Sequence, residues 1–203
     1  MVPIIAAVFI APLLGFVGGF AVMVAFCWIF RACTPSIVEG RFRRLQAVSA
    51  SFLAYAHGLN DGQMTVGVML MSLVLFTGNV ETWNAVPWWV IFLAAFSMSV
   101  GTAAGGWQVI KTLGMSITTL RPVHGFAAEF SSGLVVEIAS LLGIPVSTTH
   151  NISASIFGVG SVTRIQAVRW RLANNIFAAW IFTFPLCGAL GYVIALGLRF
   201  IFG

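Results

Sequence analysis

Apolar runs of more than twenty residues, separated by short arginine-bearing segments, leave this chain few folds to choose from. About 20 apolar residues suffice for a helix to cross the roughly 30 Å of bilayer hydrocarbon. Within that layer only helices and closed barrels pair all their backbone polar groups. Barrel strands alternate apolar and polar residues over roughly ten-residue segments, and the runs here are continuous. The chain of 203 residues is 60% hydrophobic and 7% charged, where soluble domains carry about 25% charged residues. So few charges cannot cover a water-soluble surface of this size, and disorder requires the opposite composition. The sequence predicts an all-α, polytopic membrane protein with discontinuous or re-entrant helices, multi-pass in the cytoplasmic (inner) membrane, with lipid as its surroundings.

Ten basic and five acidic side chains give a net charge of +5. Such a balance suggests nucleic acid, but the placement of the positive charges excludes it. They cluster in short segments between apolar runs, as the positive-inside rule requires. Cys27, Cys33 and Cys187 show no metal-ligand spacing and are expected to pack. The first thirty residues exceed the apolar core of a signal peptide and carry no basic leader, so they are expected to be a true span.

The expected spans lie near 3–30, 45–78, 88–110, 126–162 and 173–200. The second is too long for one straight crossing, since 34 residues rise about 50 Å. It is expected to break at 57–63, HGLNDGQ. The fourth is expected to break at 145–151, PVSTTHN, where Pro145 stops a helix. The basic segments Arg31–Arg44, Lys111–Arg121 and Arg164–Arg171 are expected in the cytoplasm. The loop 79–87, with Glu81 and flanking tryptophans, is expected outside. The stretch from Arg121 to Arg164 must then leave and return, either as two spans or as a re-entrant hairpin. Its short second piece favours the hairpin. Small-residue pairs, Gly15 with Gly19 and Gly101 with Gly105, suit close helix contact.

The residues a bilayer rejects carry the functional argument. Aspartate at a helix centre costs about 2.5–3.5 kcal/mol on insertion scales. Asp61 lies inside an apolar stretch beside Asn60, with His57 one turn back. One reading is a wet loop joining two shallow helices. The other is an unwound helix whose carboxylate and freed carbonyls near Gly58 and Gly62 coordinate a cation such as sodium. His57 serves equally as ligand or packing donor, and Gln63 lies beside it. In PVSTTHN, Ser147, Thr148 and Thr149 stand where a helix would begin. Hydroxyls there either cap the helix or, with its free amides, hold an oxyanion. His150 and Asn151 follow. Glu129 and Glu137, eight residues apart, fall near one helix face. They either pair with Lys111 or Arg121 or join a cation path.

At these motifs the sequence resembles the inorganic phosphate transporter (PiT) family, specifically its carboxy-terminal repeat half. The resemblance rests on FRRLQAVSASFLAYAHGLNDGQMTVGV (Phe42 to Val68), GTAAGGWQVIKTLG (Gly101 to Gly114) and HGFAAE (His124 to Glu129). GIPVSTTHNISASIFGVG (Gly143 to Gly160) and VRWRLANNIFAAWIFTFP (Val168 to Pro185) complete it. It implies sodium- or proton-coupled symport of inorganic phosphate, with no cofactor beyond the coupling cation, by two inverted repeats with substrate between them. By position, Asn60 and Asp61 match the pair implied in cation coordination, and would be the metal ligands if sodium is the coupling ion. Ser147, Thr148, Thr149 and the neighbouring Asn151 fall in the stretch implied in phosphate binding. His57, Gln63, Glu129 and His150 are additional candidates. The chain departs from the family at Met64, where lysine is usual.

One ND motif and one STTH motif occur in the chain. A complementary half, or a homo-oligomer, is therefore expected as partner, from a truncated or a split gene. Transport of another oxyanion such as sulfate is the alternative within the class, and a non-transporting membrane scaffold or remnant lies outside it. An enzyme is not expected, because no catalytic constellation or HExxH-type spacing is present. In a cysteine-free background, cysteines at Ser36 and Thr163 are expected to resist an impermeant thiol reagent added to intact cells, whereas one at Asn84 reacts. The reverse pattern would overturn the orientation.

Overall fold

The computed structural model describes residues 2–202, with the side chains at 2–6, 115–116, 167, 184 and 201–202 outside that description. It is all-helical: α1 (Val2–Ile29), α2 (Pro35–Thr77), α3 (Trp88–Lys111), α4 (Pro122–Leu141), α5 (Thr148–Thr163) and α6 (Trp170–Phe202). Short 3-10 turns at Val80–Trp83 and Ile165–Ala167 and a π turn at Thr112–Ser116 link them. Four helices, α1, α2, α3 and α6, are long and apolar enough to cross a membrane. The chain divides into two units, 1–168 and 169–203. The second is α6, a long apolar helix with Pro185 inside it and Phe177 edge-on to Trp180 at 4.6 Å.

In the first unit α4 and α5 form an antiparallel hairpin. Ser132 on α4 meets Asn151 on α5, and nearer the open end Ser131 meets Ser155 at 2.7 Å. The turn closes α4 with paired bonds, Gly143 N–H to the Ser140 carbonyl and Ile144 N–H to the Ala139 carbonyl. This geometry needs a left-handed residue, and Gly143 supplies it at φ 68°. Pro145 blocks continuation, and Ser147 caps the new helix α5.

The hairpin runs parallel to its two neighbours. Along α2 and α4, Gln46 sits on Gly125, Ser49 on Glu129, Phe52 on Gly133 and Asn60 against Ser140, in that order. Along α1 and α5, Gly15 meets Asn151 and Gly19 meets Ser155. The hairpin tip therefore stops level with Asn60. At 1.5 Å per residue, that is roughly 22 Å from Leu45 and 25 Å from Thr77. A hairpin that ends halfway along the apolar length of α2 has the geometry of a re-entrant element. The tip buries Val146 among Ala7, Ala11, Ala56 and Val136. At the hairpin's open end, Phe26, Phe30, Phe42 and Phe126 pack at centroid distances of 5.2–6.1 Å.

One expectation fails: α2 does not break at 57–63. It is a single 43-residue helix through HGLNDGQ, with no left-handed residue there. Gly58 and Gly62 lower its intrinsic propensity, but unwinding within apolar surroundings would strip carbonyls of partners that only protein groups can replace. The polar side chains instead find partners while the helix stays intact. Of the two expected interruptions only the one at 145–151 is a discontinuity.

Close packing of α1 on α5 depends on missing side chains. A Cβ at Gly158 would strike the Phe16 carbonyl of α1, whereas one at Gly101 meets open space. Overpacking costs about 1–3 kcal/mol. Gly158→Ala is expected to lower the thermal unfolding midpoint of the purified protein, and Gly101→Ala is not.

Candidate functional site

The tip of the hairpin delivers a helix N-terminus to the middle of α2. At that terminus the Ser147 hydroxyl accepts weakly from His150 N–H at 3.4 Å, and the Ser147 carbonyl accepts from Asn151 N–H at 3.0 Å. The first amides of α5 have no helical acceptor and carry the positive end of the helix dipole. Thr148 is buried, whereas Ser147 and Thr149 are exposed.

The α2 residues that meet this terminus are those of the HGLND stretch. Buried Asn60 directs both amide protons of Nδ2, one to the Val146 carbonyl at 2.7 Å and one to Asp61 Oδ1 at 2.8 Å. Its Oδ1 lies 3.4 Å from the Ser140 hydroxyl, which donates more closely to the Val136 carbonyl at 2.9 Å. Asp61 Oδ2 lies 3.2 Å from His57 Nδ1, one turn back on the same helix face. The same Nδ1 lies 2.8 Å from Thr148 Oγ1. Residues 91 positions apart are thereby joined, and the carboxylate, imidazole and hydroxyl form one connected chain. Asp61 and His57 each keep about a third of their side-chain surface exposed, so the chain opens to one side.

Other expected site residues stand elsewhere. Asn151 is fully buried and gives its Nδ2 to the Ser132 carbonyl and hydroxyl, both at 3.0 Å. It ties α5 to α4 through this amide. Glu129 accepts from the Ser49 hydroxyl at 2.5 Å, eleven residues down α2 from Asn60; it does not join the cluster. Arg121 approaches Glu39 at 3.7 Å instead. Glu137, one turn before Ser140, has a buried Oε2 without a partner. Gln63 lies in the wall of a cavity of about 950 Å³ between α2 and α3, which His57 also lines. Thr149 faces outward, its carbonyl taken by Ser153, and His150 is half-buried. The carbonyls near Gly58 and Gly62 stay within the helical ladder of α2 and are not freed for a cation.

Two participants were invisible in the sequence. Ser140 sits in an unremarkable apolar run, and the Val146 carbonyl is a backbone group that no residue type announces. Among the described residues no three His, Cys, Asp or Glu side chains converge as a metal site. A cation here would rely on amide, hydroxyl and carboxylate oxygens.

In the first unit, helices long and apolar enough to span a bilayer flank a hairpin that stops halfway with polar groups gathered at its tip, the architecture of a multi-pass membrane protein with a re-entrant polar element. Comparison with known proteins narrows the class. Residues 1–191 match the model of the phosphate transporter family. A Rhizobium meliloti (strain 1021) protein named "Probable low-affinity inorganic phosphate transporter" is 41% identical over 192 residues, 93% of this chain and 57% of its own length. A Bacillus subtilis (strain 168) protein of the same name is 38% identical over 202 residues, 99% of this chain and 60% of its own length. A solved structure, "The sodium-dependent phosphate transporter", superposes with a TM-score of 0.70 at 31% identity, covering 81% of this chain and 41% of that one. The chain belongs to the phosphate transporter family. It spans less than two thirds of the length of these relatives.

The Asn60 clamp is testable by itself. Asn60→Leu leaves the Val146 carbonyl and Asp61 Oδ1 without their donor, and an orphaned buried polar group costs about 1–3 kcal/mol. Hydrogen exchange is expected to accelerate at the α5 N-terminus in this variant and to stay unchanged in the exposed control Ser51→Ala.

Proposed function

We propose that this chain supplies one half of a cation-coupled symporter of inorganic phosphate, with sodium or a proton as the coupling ion. Asp61, with Asn60 Oδ1 beside it, meets the cation. Thr148, Thr149 and the first amides of α5 meet the phosphate. The observation that carries this reading is the meeting of the Asp61–His57 pair with the α5 N-terminus halfway along α2. The complementary half completes the site over its open side.

Electrostatics supports coupling. No lysine or arginine occurs between Arg44 and Lys111 or between Arg121 and Arg164. An oxyanion at Thr148 is held by hydroxyls and a helix dipole, with a carboxylate close by. Two like unit charges roughly 6–7 Å apart repel by about 2–3 kcal/mol at an effective dielectric near 20. A cation on Asp61 removes that penalty, so cation and anion bind better together than apart.

Uptake of radiolabelled phosphate, with substitutions placed at the chain's own locus, tests both roles. Asp61→Asn is expected to abolish cation-dependent uptake while the protein still reaches the membrane. The double variant Thr148→Val, Thr149→Val is expected to raise the half-saturation concentration at least about tenfold, because a hydrogen bond to a charged group contributes about 1.5–3 kcal/mol and about 1.4 kcal/mol is one decade. An unchanged half-saturation in the valine variant would place the phosphate elsewhere. Competition by excess sulfate distinguishes phosphate from a general oxyanion substrate.

A further inference from the structure

We propose that His57 is a positioning residue that shares a single ring proton between Asp61 and Thr148, so that a cation on Asp61 sets the Thr148 hydroxyl for an oxyanion. This rests on the roles given above to Asp61 and Thr148 and adds the element that joins them.

Two contacts converge on one atom. His57 Nδ1 is 3.2 Å from Asp61 Oδ2 and 2.8 Å from Thr148 Oγ1. A neutral ring nitrogen offers either one proton or one lone pair, and an ionised carboxylate only accepts. A lone pair on Nδ1 would face the lone pairs of Asp61 with nothing between them. Nδ1 therefore carries the proton, and the proton has two acceptors. Thr148 Oγ1 accepts from the ring, so its own O–H is turned away from His57 and is left to donate elsewhere.

A cation engaging Asp61 Oδ2 withdraws one of the two acceptors. The ring proton then goes to Thr148 alone. Hydrogen bonds in series polarise one another, so the Thr148 O–H becomes the stronger donor toward an anion. The linkage is reciprocal: an anion on Thr148 strengthens cation binding at Asp61 by the same factor. The device requires His57 and Asp61 one turn apart on one face, which the unbroken course of α2 through Asn60 provides.

The test is the ratio of the phosphate half-saturation concentration at low cation to that at saturating cation, measured by uptake with substitutions at the chain's own locus. His57→Asn places an amide N–H where Nδ1 stands. His57→Gln reaches the position of Nε2 instead, and His57→Leu supplies neither. The ratio is expected to stay near the wild-type value in His57→Asn. It is expected to shrink by at least about fivefold, the lower end of typical coupling between sites, in His57→Gln and His57→Leu. The Asn and Gln variants are both polar and differ in reach, so their comparison stands even where His57→Leu fails to accumulate in the membrane. An equal ratio in His57→Gln and wild type, or a ratio in His57→Asn as small as in His57→Gln, overturns the bridge. If Asp61→Asn keeps full cation dependence, the underlying reading fails. If Asp61→Asn loses it while His57→Gln keeps it, only the bridge fails.

Discussion

The hydrogen bond from Asn60 to the Val146 carbonyl is the constraint on which the rest of the first unit depends. A helical hairpin ending in apolar surroundings exposes backbone groups at its turn that water does not reach. The glycine-closed end of α4 satisfies the carbonyls of Ala139 and Ser140. The Val146 carbonyl lies beyond both helices, buried in the core cluster, and needs a donor from another element. Asn60 supplies it at 2.7 Å from the middle of α2. The second proton of the same amide holds Asp61 Oδ1. One side chain thus fixes both the depth of the hairpin tip and the orientation of the carboxylate next to it.

From that geometry an electrostatic consequence follows. Asp61 has an amide donor on one oxygen and an imidazole beside the other, with no lysine or arginine at either. The nearest arginines along the chain, Arg44 and Arg121, lie at the basic end of the unit, and Arg121 is engaged by Glu39. An anion arriving at α5 meets a helix dipole equivalent to roughly half an elementary charge opposed by a whole negative one. On the reading proposed above, an anion alone is disfavoured there, and a cation on Asp61 would reverse the balance.

The sequence announced helices, their number class and the hairpin, because those are set by apolar length, proline and a hydroxyl at a helix start. It also pointed to Asp61, a carboxylate in an apolar stretch, and to Thr148, a hydroxyl at a helix start, and His57 Nδ1 lies within 3.2 Å of both. It misled at 57–63, since Gly, Asn and Asp read as breakers in water, where an unwound backbone finds solvent partners. In apolar surroundings the penalty for unwinding is larger, and polar side chains with neighbours on α4 and α5 leave the helix intact. The contacts of Asn151 were not legible either, because its meeting with Ser132 of α4 and Gly15 of α1 depends on how three helices pack. Pairings such as Ser140 with Asn60 depend on the parallel register of α2 and α4, which neither segment encodes alone.

Exposure at the tip has a physical implication. Ser147, Thr149 and Gln63 are open, and Asp61 and His57 are partly so, at a level halfway along the apolar length of α2. This open side, unlike the buried side around Val146 and Asn60, cannot face hydrocarbon, because polar groups exposed at that depth cost several kcal/mol each. The same surface carries glycines 58, 62 and 67, with open space where their side chains would be, and it borders the cavity toward α3. Small residues let another backbone or a water-filled passage approach closely. Polar groups beside them require that whatever approaches be polar as well. A surface with both properties calls for a second polar wall, and the relatives, longer than this chain by more than half, have the length to provide one.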